Sequence, residues 1–249
     1  MNFKNKVALI TGASRGIGAS IAYDLASHGC NICINYKDNY QKAKELKSKV
    51  ERDFSVKVLL VQADITKEED IMRMVNLVIN EFQKIDILIN NAGIAIDSVV
   101  DNKNIANFHK ILDTNLIGPF LLSREVAKYM VKQKNGTIIN ISSTNGMEAY
   151  YSYSLDYDAS KAGLISLTHN LAEIYAPYIR VNAVAPGWVN TEMNLELDDS
   201  FVEEEIKGIY LRRFAEPVEI AKVVTFLASD DAKYINNEVI RVDGGTRHV

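Results

Sequence analysis

The sequence has little cysteine, histidine and proline, and it has no excess of positive charge. Its 249 residues include 2 cysteines, 4 histidines and 4 prolines, and the formal net charge is −4. Without a basic patch, the chain lacks the electrostatic footprint of a nucleic-acid-binding protein. Because proline is scarce and no Ser/Gly-rich or low-complexity run interrupts the chain, we expect residues 1–249 to form a single domain.

Long apolar runs are also missing. No apolar stretch approaches the ~18 residues that a transmembrane helix requires. The N-terminus has neither the charged segment nor the apolar region of a signal peptide. We therefore expect a soluble, cytoplasmic protein that has no membrane partner.

The two cysteines, Cys30 and Cys33, have the C-x-x-C spacing of a redox or zinc site. They fall at the end of the first predicted helix and in the next strand, where residues three apart point to opposite faces, so a shared ligand is hard to build. The four histidines do not have the spacing of a metal site. They are His28, His109, His169 and His248. The sequence predicts no metal site.

Strand and helix patterns alternate along the whole chain. The predicted strands are 6–11, 31–36, 56–61, 86–90, 137–142, 179–184 and 238–242. The predicted amphipathic helices are 17–28, 40–53, 67–82, 104–131, 156–175 and 216–228. This alternation predicts an α/β fold with a doubly wound parallel sheet of about seven strands between two helical layers. In such a sheet the ligand lies beyond the carboxyl ends of the strands, where the strand order reverses.

A glycine-rich turn, TGASRGIG, follows the first predicted strand and opens the first helix. Gly12 permits the tight turn, Gly16 lets the backbone approach a pyrophosphate, and Gly18 lets the helix pack on the strand. No Gly-Lys-Ser/Thr follows, which argues against a P-loop nucleoside triphosphatase. The context favours a dinucleotide site over an ordinary glycine turn.

Tyr157 and Lys161 stand four residues apart in a predicted helix, so their side chains lie on the same face. A free tyrosine has a pKa near ~10, and a nearby cation favours the phenolate and lowers that pKa. The pair predicts a general acid-base group, although this spacing is also typical of an amphipathic helix surface.

Six motifs occur in the order that marks the short-chain dehydrogenase/reductase family. They are TGASRGIG, NNAG at 90–93, Asn115, the Ser142-Ser143 pair, Tyr157-x3-Lys161 and Pro186-Gly187. The chain resembles this family from Lys6 to Gly245, and within it the chain is most similar to 3-oxoacyl-[acyl-carrier-protein] reductases and relatives that reduce other ketones. The resemblance implies a Rossmann fold and hydride transfer between a nicotinamide cofactor and a carbonyl or alcohol.

The resemblance also implies the site residues. The catalytic set is Asn115, Ser143, Tyr157 and Lys161. The cofactor-binding set is Gly12, Ser14, Arg15, Gly16, Ile17, Gly18, Tyr36, Lys37, Asp64, Ile65, Asn91, Ala92, Gly93, Tyr157, Lys161, Pro186, Gly187, Val189 and Thr191. Among these, Asp64 and Ile65 are expected to contact the adenine, and Asn115 is expected to hold a water that relays protons to Lys161.

Several of these residues also have structural interpretations. Asp64 would equally suit a helix N-cap, with Thr66 as its competitor, and Asn91 would also stabilise a turn. Asn115 lies inside a predicted helix, where its polar side chain would otherwise be satisfied by the neighbouring strand. Ser143 can donate a hydrogen bond to a substrate carbonyl, whereas Ser142, one residue earlier, is expected to face elsewhere.

The end of the second predicted strand indicates the cofactor. Enzymes of this fold that prefer NAD place an acid there to bind the ribose, and here the position is held by Tyr36. Arg15 and Lys37 are two cations near the expected 2′ position, while Asp38 is expected to point away into the loop. NADP(H) is therefore favoured over NAD(H), although Lys37 alone would equally be a solvated loop charge.

The expected reaction is NADP(H)-dependent interconversion of a small-molecule ketone and a secondary alcohol, with Tyr157 as general acid or base. The two candidate pocket segments carry Met147, Tyr150, Tyr151, Tyr153, Trp188, Met193 and Leu195. They indicate an apolar or flat substrate, or else a lid packed by aromatic side chains. A catalytically inactive NADP-binding regulator is an alternative of another class.

An acyl carrier protein is a further possible partner. An acidic carrier would require basic residues at the mouth of the site, yet the acidic run 203–205 lies in the predicted lid. The cations that could serve are Lys132, Lys134, Arg212 and Arg213.

The predicted helices 104–131 and 156–175 carry more apolar positions than one sheet-facing stripe requires, which predicts self-association as a homodimer or homotetramer. Family members commonly form tetramers, with the C-terminal strand making a second contact, and Asn237 stands where relatives often have glycine.

Overall fold

The computed structural model describes residues 1–147, 151–192 and 197–246. Within these ranges seven strands form one sheet in the order β3-β2-β1-β4-β5-β6-β7, and all neighbours pair in parallel. The strands are β1 (Val7–Ile10), β2 (Asn31–Tyr36), β3 (Val58–Gln62), β4 (Ile87–Asn90), β5 (Gly136–Ile141), β6 (Ile179–Pro186) and β7 (Val239–Val242). The strand order reverses between β1 and β4, so a ligand crevice is expected at the carboxyl ends of these two strands.

Helices cover both faces of the sheet. They are α1 (Gly16–Ser27), α2 (Tyr40–Asp53), α3 (Glu68–Phe82), α4 (Ile105–Leu112), α5 (Gly118–Gln133), α6 (Leu155–Tyr175), α7 (Asp199–Gly208) and α8 (Pro217–Ala228). Buried side chains of α1, α2 and α8 belong to one hydrophobic cluster, and those of α3, α5 and α6 belong to another. The predicted three-layer α/β fold with a doubly wound parallel sheet is confirmed.

Alternation along β1 shows how the sequence builds the two clusters. Ala8 and Ile10 pack into the cluster with α1 and α8, whereas Val7 and Leu9 pack into the cluster with α3 and α5. All four side chains are at most 1% exposed, because a central parallel strand is covered on both faces. Fully burying an aliphatic side chain of this size contributes about 1.5–3 kcal/mol.

The two cysteines follow the same alternation. Cys30, just before β2, packs in the first cluster, and Cys33, within β2, packs in the second. The structure therefore places them on opposite faces of the sheet, both as free thiols. Burial raises the pKa of each thiol, which removes the thiolate that metal binding or redox exchange requires.

The predicted helix 104–131 is not a continuous α-helix. A π-helical segment, Asp113–Ile117, separates α4 from α5, and the buried Asn115 lies in it. Pro119 explains the break, because its ring lacks an N–H and clashes with the carbonyl four residues earlier, that of Asn115. The sequence pair Gly118-Pro119 was the signal for this interruption.

The other predicted elements agree with the structure to within two residues at each end. The exception is α7, which the sequence did not predict. It is an acidic helix with no buried residue, so it lacks the apolar stripe from which helices are recognised. No helix in the described ranges combines the length and apolar character needed to cross a membrane.

Gly12 lies at the first turn of the crevice. Its φ is +60°, and a Cβ atom on it would lie 2.9 Å from the Cα of Ala92, which follows β4. We predict that Gly12→Ala destabilises the protein by at least about 1–2 kcal/mol, because a left-handed conformation and a backbone clash are both imposed. Urea unfolding would measure the change.

Gly208→Ala is the matched control, since a Cβ there would meet no atom within 4 Å. Equal stability of the two variants would show that the turn relaxes without cost.

Candidate active site

The end of β4 is joined to the glycine turn by a set of short hydrogen bonds. The Thr11 hydroxyl accepts from the backbone N–H groups of Asn91 and Ala92, at 2.9 and 3.0 Å. The Asn91 amide donates to the carbonyls of Thr11 and Gly12, at 2.8 and 3.2 Å. The Asn91 side chain therefore stabilises the glycine turn. These bonds also hold NNAG against TGASRGIG.

A buried polar chain continues from this junction into the core. Asn90 Nδ2 donates to Ser123 Oγ at 2.9 Å and to Asn140 Oδ1 at 2.8 Å. Asn140 Nδ2 in turn donates to Thr168 Oγ1 at 2.9 Å. These contacts tie β4 and β5 to α5 and α6. Their long sequence separations explain why sequence analysis did not identify Asn140, Ser123 or Thr168.

The two serines after β5 point in different directions. Ser142 Oγ donates to the backbone carbonyl of Lys161 at 3.0 Å, and this side chain is buried against α6. The Ser143 hydroxyl forms a hydrogen bond with the phenol of Tyr157 and accepts from the backbone N–H of Asn145 at 3.2 Å. Ser143, and not Ser142, therefore lies beside the candidate acid.

Lys161 lies one helical turn beyond Tyr157. Its Nζ donates to the carbonyl of Ile141 at 2.8 Å and lies 5.5 Å from the centroid of the Tyr157 ring. A Cβ atom on Gly93 would lie 3.4 Å from this Nζ and 3.3 Å from Asn115 Oδ1. Lys161 and Asn115 thus both face the backbone of Gly93, which follows β4.

The pKa of Tyr157 differs from the sequence-based prediction. Burial raises it to about 12, and this outweighs the lowering effect of the Ser143 hydrogen bond. Burial also lowers the pKa of Lys161 to about 8. The expected lowering of the Tyr157 pKa by its lysine is therefore wrong for the protein alone, because the loss of water disfavours the charged form of both groups.

Asn115 uses its whole side chain in structural contacts. Its Oδ1 accepts from the backbone N–H of Ile94 at 2.9 Å, and its Nδ2 donates to the Ile94 carbonyl at 2.9 Å and to Ser160 Oγ at 3.0 Å. The geometry therefore shows a structural role for this side chain, which is satisfied by the backbone of Ile94 and by Ser160. Pro119 has no N–H to donate to the Asn115 backbone carbonyl four residues earlier.

Asp64, predicted to contact adenine, forms a local turn in the structure. Its Oδ1 accepts from both the backbone N–H and the hydroxyl of Thr66, at 3.0 and 2.7 Å. Its Oδ2 pairs with Lys37 Nζ at 2.8 Å. Burial alone would raise the pKa of Asp64, but the hydrogen bonds from Lys37 and Thr66 hold it below its usual value. Asp64 does not cap α3, since that helix begins at Glu68 after Lys67.

The remaining cofactor candidates lie on both sides of the glycine turn. Arg15 precedes α1 and its Nη1 pairs with Glu192 Oε2 at 2.9 Å. Tyr36 is 7% exposed and packs its ring against Tyr40, so its side chain belongs to the core. Thr191 lies opposite Gly16, whose added Cβ would be 3.6 Å from Thr191 Cγ2.

Six further candidates frame the same crevice, and two of them lie in the glycine turn. Ser14 and Ile17 are half-buried there, and Ile65 is buried after β3. Pro186 ends β6, Gly187 donates its N–H to the carbonyl of Val242, and Val189 forms a bridge with Ala215.

Aromatic residues of the candidate pocket pack against α7. Trp188 stacks on Phe214 with ring centroids 5.4 Å apart, meets Phe201 edge-on at 5.6 Å, and donates its Nε1–H to Glu205 at 2.8 Å. Tyr151 lies 6.2 Å from Phe201 and 5.3 Å from Tyr153. These contacts favour the lid interpretation. Tyr150, Met193 and Leu195 lie outside the described residues.

A buried ion pair beside Tyr157 was not predicted from the sequence. Lys103 Nζ contacts Asp156 Oδ1 at 2.6 Å and the Ile96 carbonyl at 2.7 Å, and the two charged side chains are 8% and 0% exposed. The same carboxylate oxygen accepts the backbone N–H of Tyr157 at 3.1 Å. The pair therefore fastens the loop after β4 to the first turn of α6.

The chain is similar in sequence to known reductases. A family model described as Enoyl-(Acyl carrier protein) reductase matches residues 12–247. The 3-oxoacyl-[acyl-carrier-protein] reductase FabG of Staphylococcus epidermidis is 39% identical over 97% of this chain and 98% of the relative. The enzyme of the same name from Aquifex aeolicus is 38% identical over 98% of both chains.

Solved structures of related enzymes superpose on almost the whole of this chain. Levodione reductase superposes with a TM-score of 0.94 at 34% identity, covering 98% of both chains. A short-chain dehydrogenase from Burkholderia cenocepacia in complex with NADP has a TM-score of 0.92 at 28% identity, covering 98% of this chain and 99% of that one.

We predict that Lys103→Met destabilises the protein by about 3–5 kcal/mol, because it leaves the Asp156 carboxylate buried without its cation. Lys110→Met, an exposed lysine of α4, is the control. Denaturant unfolding measures both variants, and stabilities that agree to within about 1 kcal/mol would contradict this account of the ion pair.

Proposed function

Because the chain belongs to the short-chain dehydrogenase/reductase family and is therefore an oxidoreductase, we propose that it reduces a ketone to a secondary alcohol with NADPH and catalyses the reverse reaction with NADP⁺. The observation that carries this proposal is the grouping of Ser143, Tyr157 and Lys161. The Ser143 hydroxyl is hydrogen-bonded to the Tyr157 phenol, and Lys161 Nζ lies near the Tyr157 ring and the backbone of Gly93. These are a hydroxyl donor, a proton donor and a cation at one end of the sheet.

The glycine turn and the start of α1 fit the diphosphate of a dinucleotide. No side chain caps the N-terminus of α1, so its first N–H groups remain available to an anion. The backbone of Gly16 faces the Thr191 side chain, and because glycine has no Cβ atom the space between them stays open. When bound, the nicotinamide ring would supply or accept the hydride.

The side chains of this site would handle the oxygen and the proton. Ser143 would donate a hydrogen bond to the carbonyl oxygen, where negative charge develops during reduction. Tyr157 would then transfer its proton to that oxygen. With a pKa of about 12, the phenol is protonated at neutral pH and is prepared to act as an acid. Lys161, with a pKa of about 8, is largely charged at neutral pH and would stabilise the phenolate that remains.

NADP(H) is proposed in preference to NAD(H). An acid at the end of β2 would repel a 2′-phosphate, and Tyr36 holds that position here. Arg15 lies at the glycine turn, 56% exposed. A relative that is 28% identical has been solved with NADP.

The second candidate is reduction of a 3-oxoacyl group on an acyl carrier protein. The relatives that carry this name are 38–39% identical over nearly the whole chain, which favours it. Arg213 is paired with Glu219, and Glu205 with Trp188. The acidic residue Glu205 is thus held by the indole of Trp188.

A panel of substrates tests the proposal. NADPH oxidation is followed with small cyclic and aromatic ketones, acetoacetyl-coenzyme A and an acetoacetyl carrier protein. Preference for the carrier-bound substrate would favour the second candidate. Cofactor binding without turnover of any compound would instead support the inactive regulator.

We predict that Tyr157→Phe lowers kcat by ~10² to 10⁴, because it removes the transferred proton and little else. NADPH binding, followed by fluorescence, should change little. Tyr153→Phe is the control, since this tyrosine is 44% exposed and has its own hydroxyl. Activity of Tyr157→Phe within a few fold of the parent would exclude the phenol as the acid.

We also predict that Arg15→Ala raises the KM for NADPH by about tenfold or more and leaves the KM for NADH nearly unchanged, because the lost contact is to the 2′-phosphate. Steady-state kinetics with both cofactors measures the difference. An equal rise in both KM values would mean that Arg15 supports the turn or the diphosphate.

A homotetramer and a cytoplasmic location remain predictions. Apolar side chains of α4, the π-helical segment, α5 and α6 are exposed in a single chain, which favours self-association. They are Ile105, Ile117, Phe120, Val131 and Ile174. Light scattering at micromolar concentration should give several times the chain mass of 27.8 kDa, and a monomer would contradict the assembly.

A further inference from the structure

Three charged side chains from distant parts of the chain meet at the mouth of the crevice. Glu192 Oε2 lies 2.9 Å from Arg15 Nη1 and 2.5 Å from Lys42 Nζ. Arg15 precedes α1, Lys42 lies in the first turn of α2, and Glu192 follows Thr191. One carboxylate therefore bridges two cations that belong to neighbouring βα units.

The position of the two cations corresponds to the ribose end of a dinucleotide site. Arg15 follows β1 and Lys42 follows β2, and these strands are adjacent and parallel. In this fold the residues after the second strand face the ribose 2′ position. Lys37, the cation expected there from the sequence, is instead paired with Asp64. Lys42 is the lysine that shares an anion with Arg15.

The Glu192 carboxylate lies between two cations that could also bind a phosphate. Arginine and lysine bind both groups through charge-assisted hydrogen bonds, and a phosphate presents more charge and one more acceptor oxygen than a carboxylate. The position between Arg15 and Lys42 that holds the Glu192 carboxylate thus has the chemistry of a phosphate site. Glu192 and a phosphate could not occupy it together.

We propose that Arg15 and Lys42 form the binding site for the cofactor 2′-phosphate, and that Glu192 occupies this site as an internal competitor until the phosphate replaces it. This inference rests on the proposed choice of NADP(H). It makes Lys42 a specificity-determining residue for the cofactor, and Glu192 a residue that weakens cofactor binding.

Solvent exposure sets the strength of the competition. The side chains of Arg15, Lys42 and Glu192 are 56%, 39% and 37% exposed, so each ion pair is screened by water. Two such contacts would lower the apparent affinity for a 2′-phosphate by about two- to tenfold. Displacement of Glu192 would break the contacts that it makes with Arg15 and Lys42.

Binding of two nucleotides to the whole protein tests the proposal. Adenosine 2′,5′-bisphosphate carries the 2′-phosphate, and adenosine 5′-monophosphate lacks it, so isothermal calorimetry isolates the contribution of that group. The wild-type protein should bind the bisphosphate more tightly. Lys42→Ala should weaken bisphosphate binding by about tenfold, and Glu192→Gln should strengthen it by about two- to tenfold. Neither variant should change binding of the monophosphate.

Lys44→Ala, an exposed lysine of α2, is the matched control. An effect of Lys42→Ala no larger than that of Lys44→Ala would overturn the role of Lys42. Weaker bisphosphate binding by Glu192→Gln would overturn the competition and show that Glu192 orients the cations.

The outcome is separable from that of the proposed function. If the nucleotide affinities change as expected but no ketone is turned over, the phosphate site is supported and the proposed reaction is rejected. Equal binding of the two nucleotides by the wild-type protein would reject this site together with the preference for NADP(H).

Discussion

The candidate site depends on how closely the ends of β1 and β4 approach one another. The strand order reverses between them, and a side chain at Gly12 would collide with the backbone of Ala92. The Thr11 hydroxyl holds the gap closed from one side and the Asn91 amide from the other. From this junction the chain runs on to Ile94, where Asn115 fixes the backbone that faces Lys161. A continuous set of hydrogen bonds therefore links the glycine turn, the end of β4, the π-helical segment and α6.

Burial then determines the protonation of the two titratable groups. The same loss of water raises the pKa of Tyr157 to about 12 and lowers that of Lys161 to about 8, so the two shifts have a common cause and opposite signs. At neutral pH the phenol keeps its proton and the amine keeps most of its charge. The hydrogen bond of Ser143 favours the phenolate, which makes this serine the protein group that counteracts the effect of burial on Tyr157.

The sequence predicted the elements whose signal is local. The buried run of β1, the glycine turn and the four-residue spacing of Tyr157 and Lys161 each depend on a short window, and the structure has all three. Prediction from the sequence failed where residues that are distant along the chain pair with one another. Lys37 binds Asp64 and Arg15 binds Glu192, and neither pairing is encoded in a nearby pattern. The burial of Lys103 with Asp156 is likewise a tertiary event. The π-helical segment was predictable only in part. The pair Gly118-Pro119 indicates an interruption of the helix, whereas the apolar periodicity continues through it.

The walls of the crevice differ in the kind of contact that holds them. The loop after β4 is fastened to α6 by the dehydrated Lys103–Asp156 pair, in which neither partner can be changed alone without a large loss of stability. The opposite side is held by rings of Trp188 and Phe201 and by one hydrogen bond to Glu205 on a helix without buried residues. Ring-to-ring contacts tolerate exchange for other apolar side chains far better than a buried charge does. Diversification of substrate range, in nature or in the laboratory, would therefore proceed through α7 and leave the loop after β4 constant.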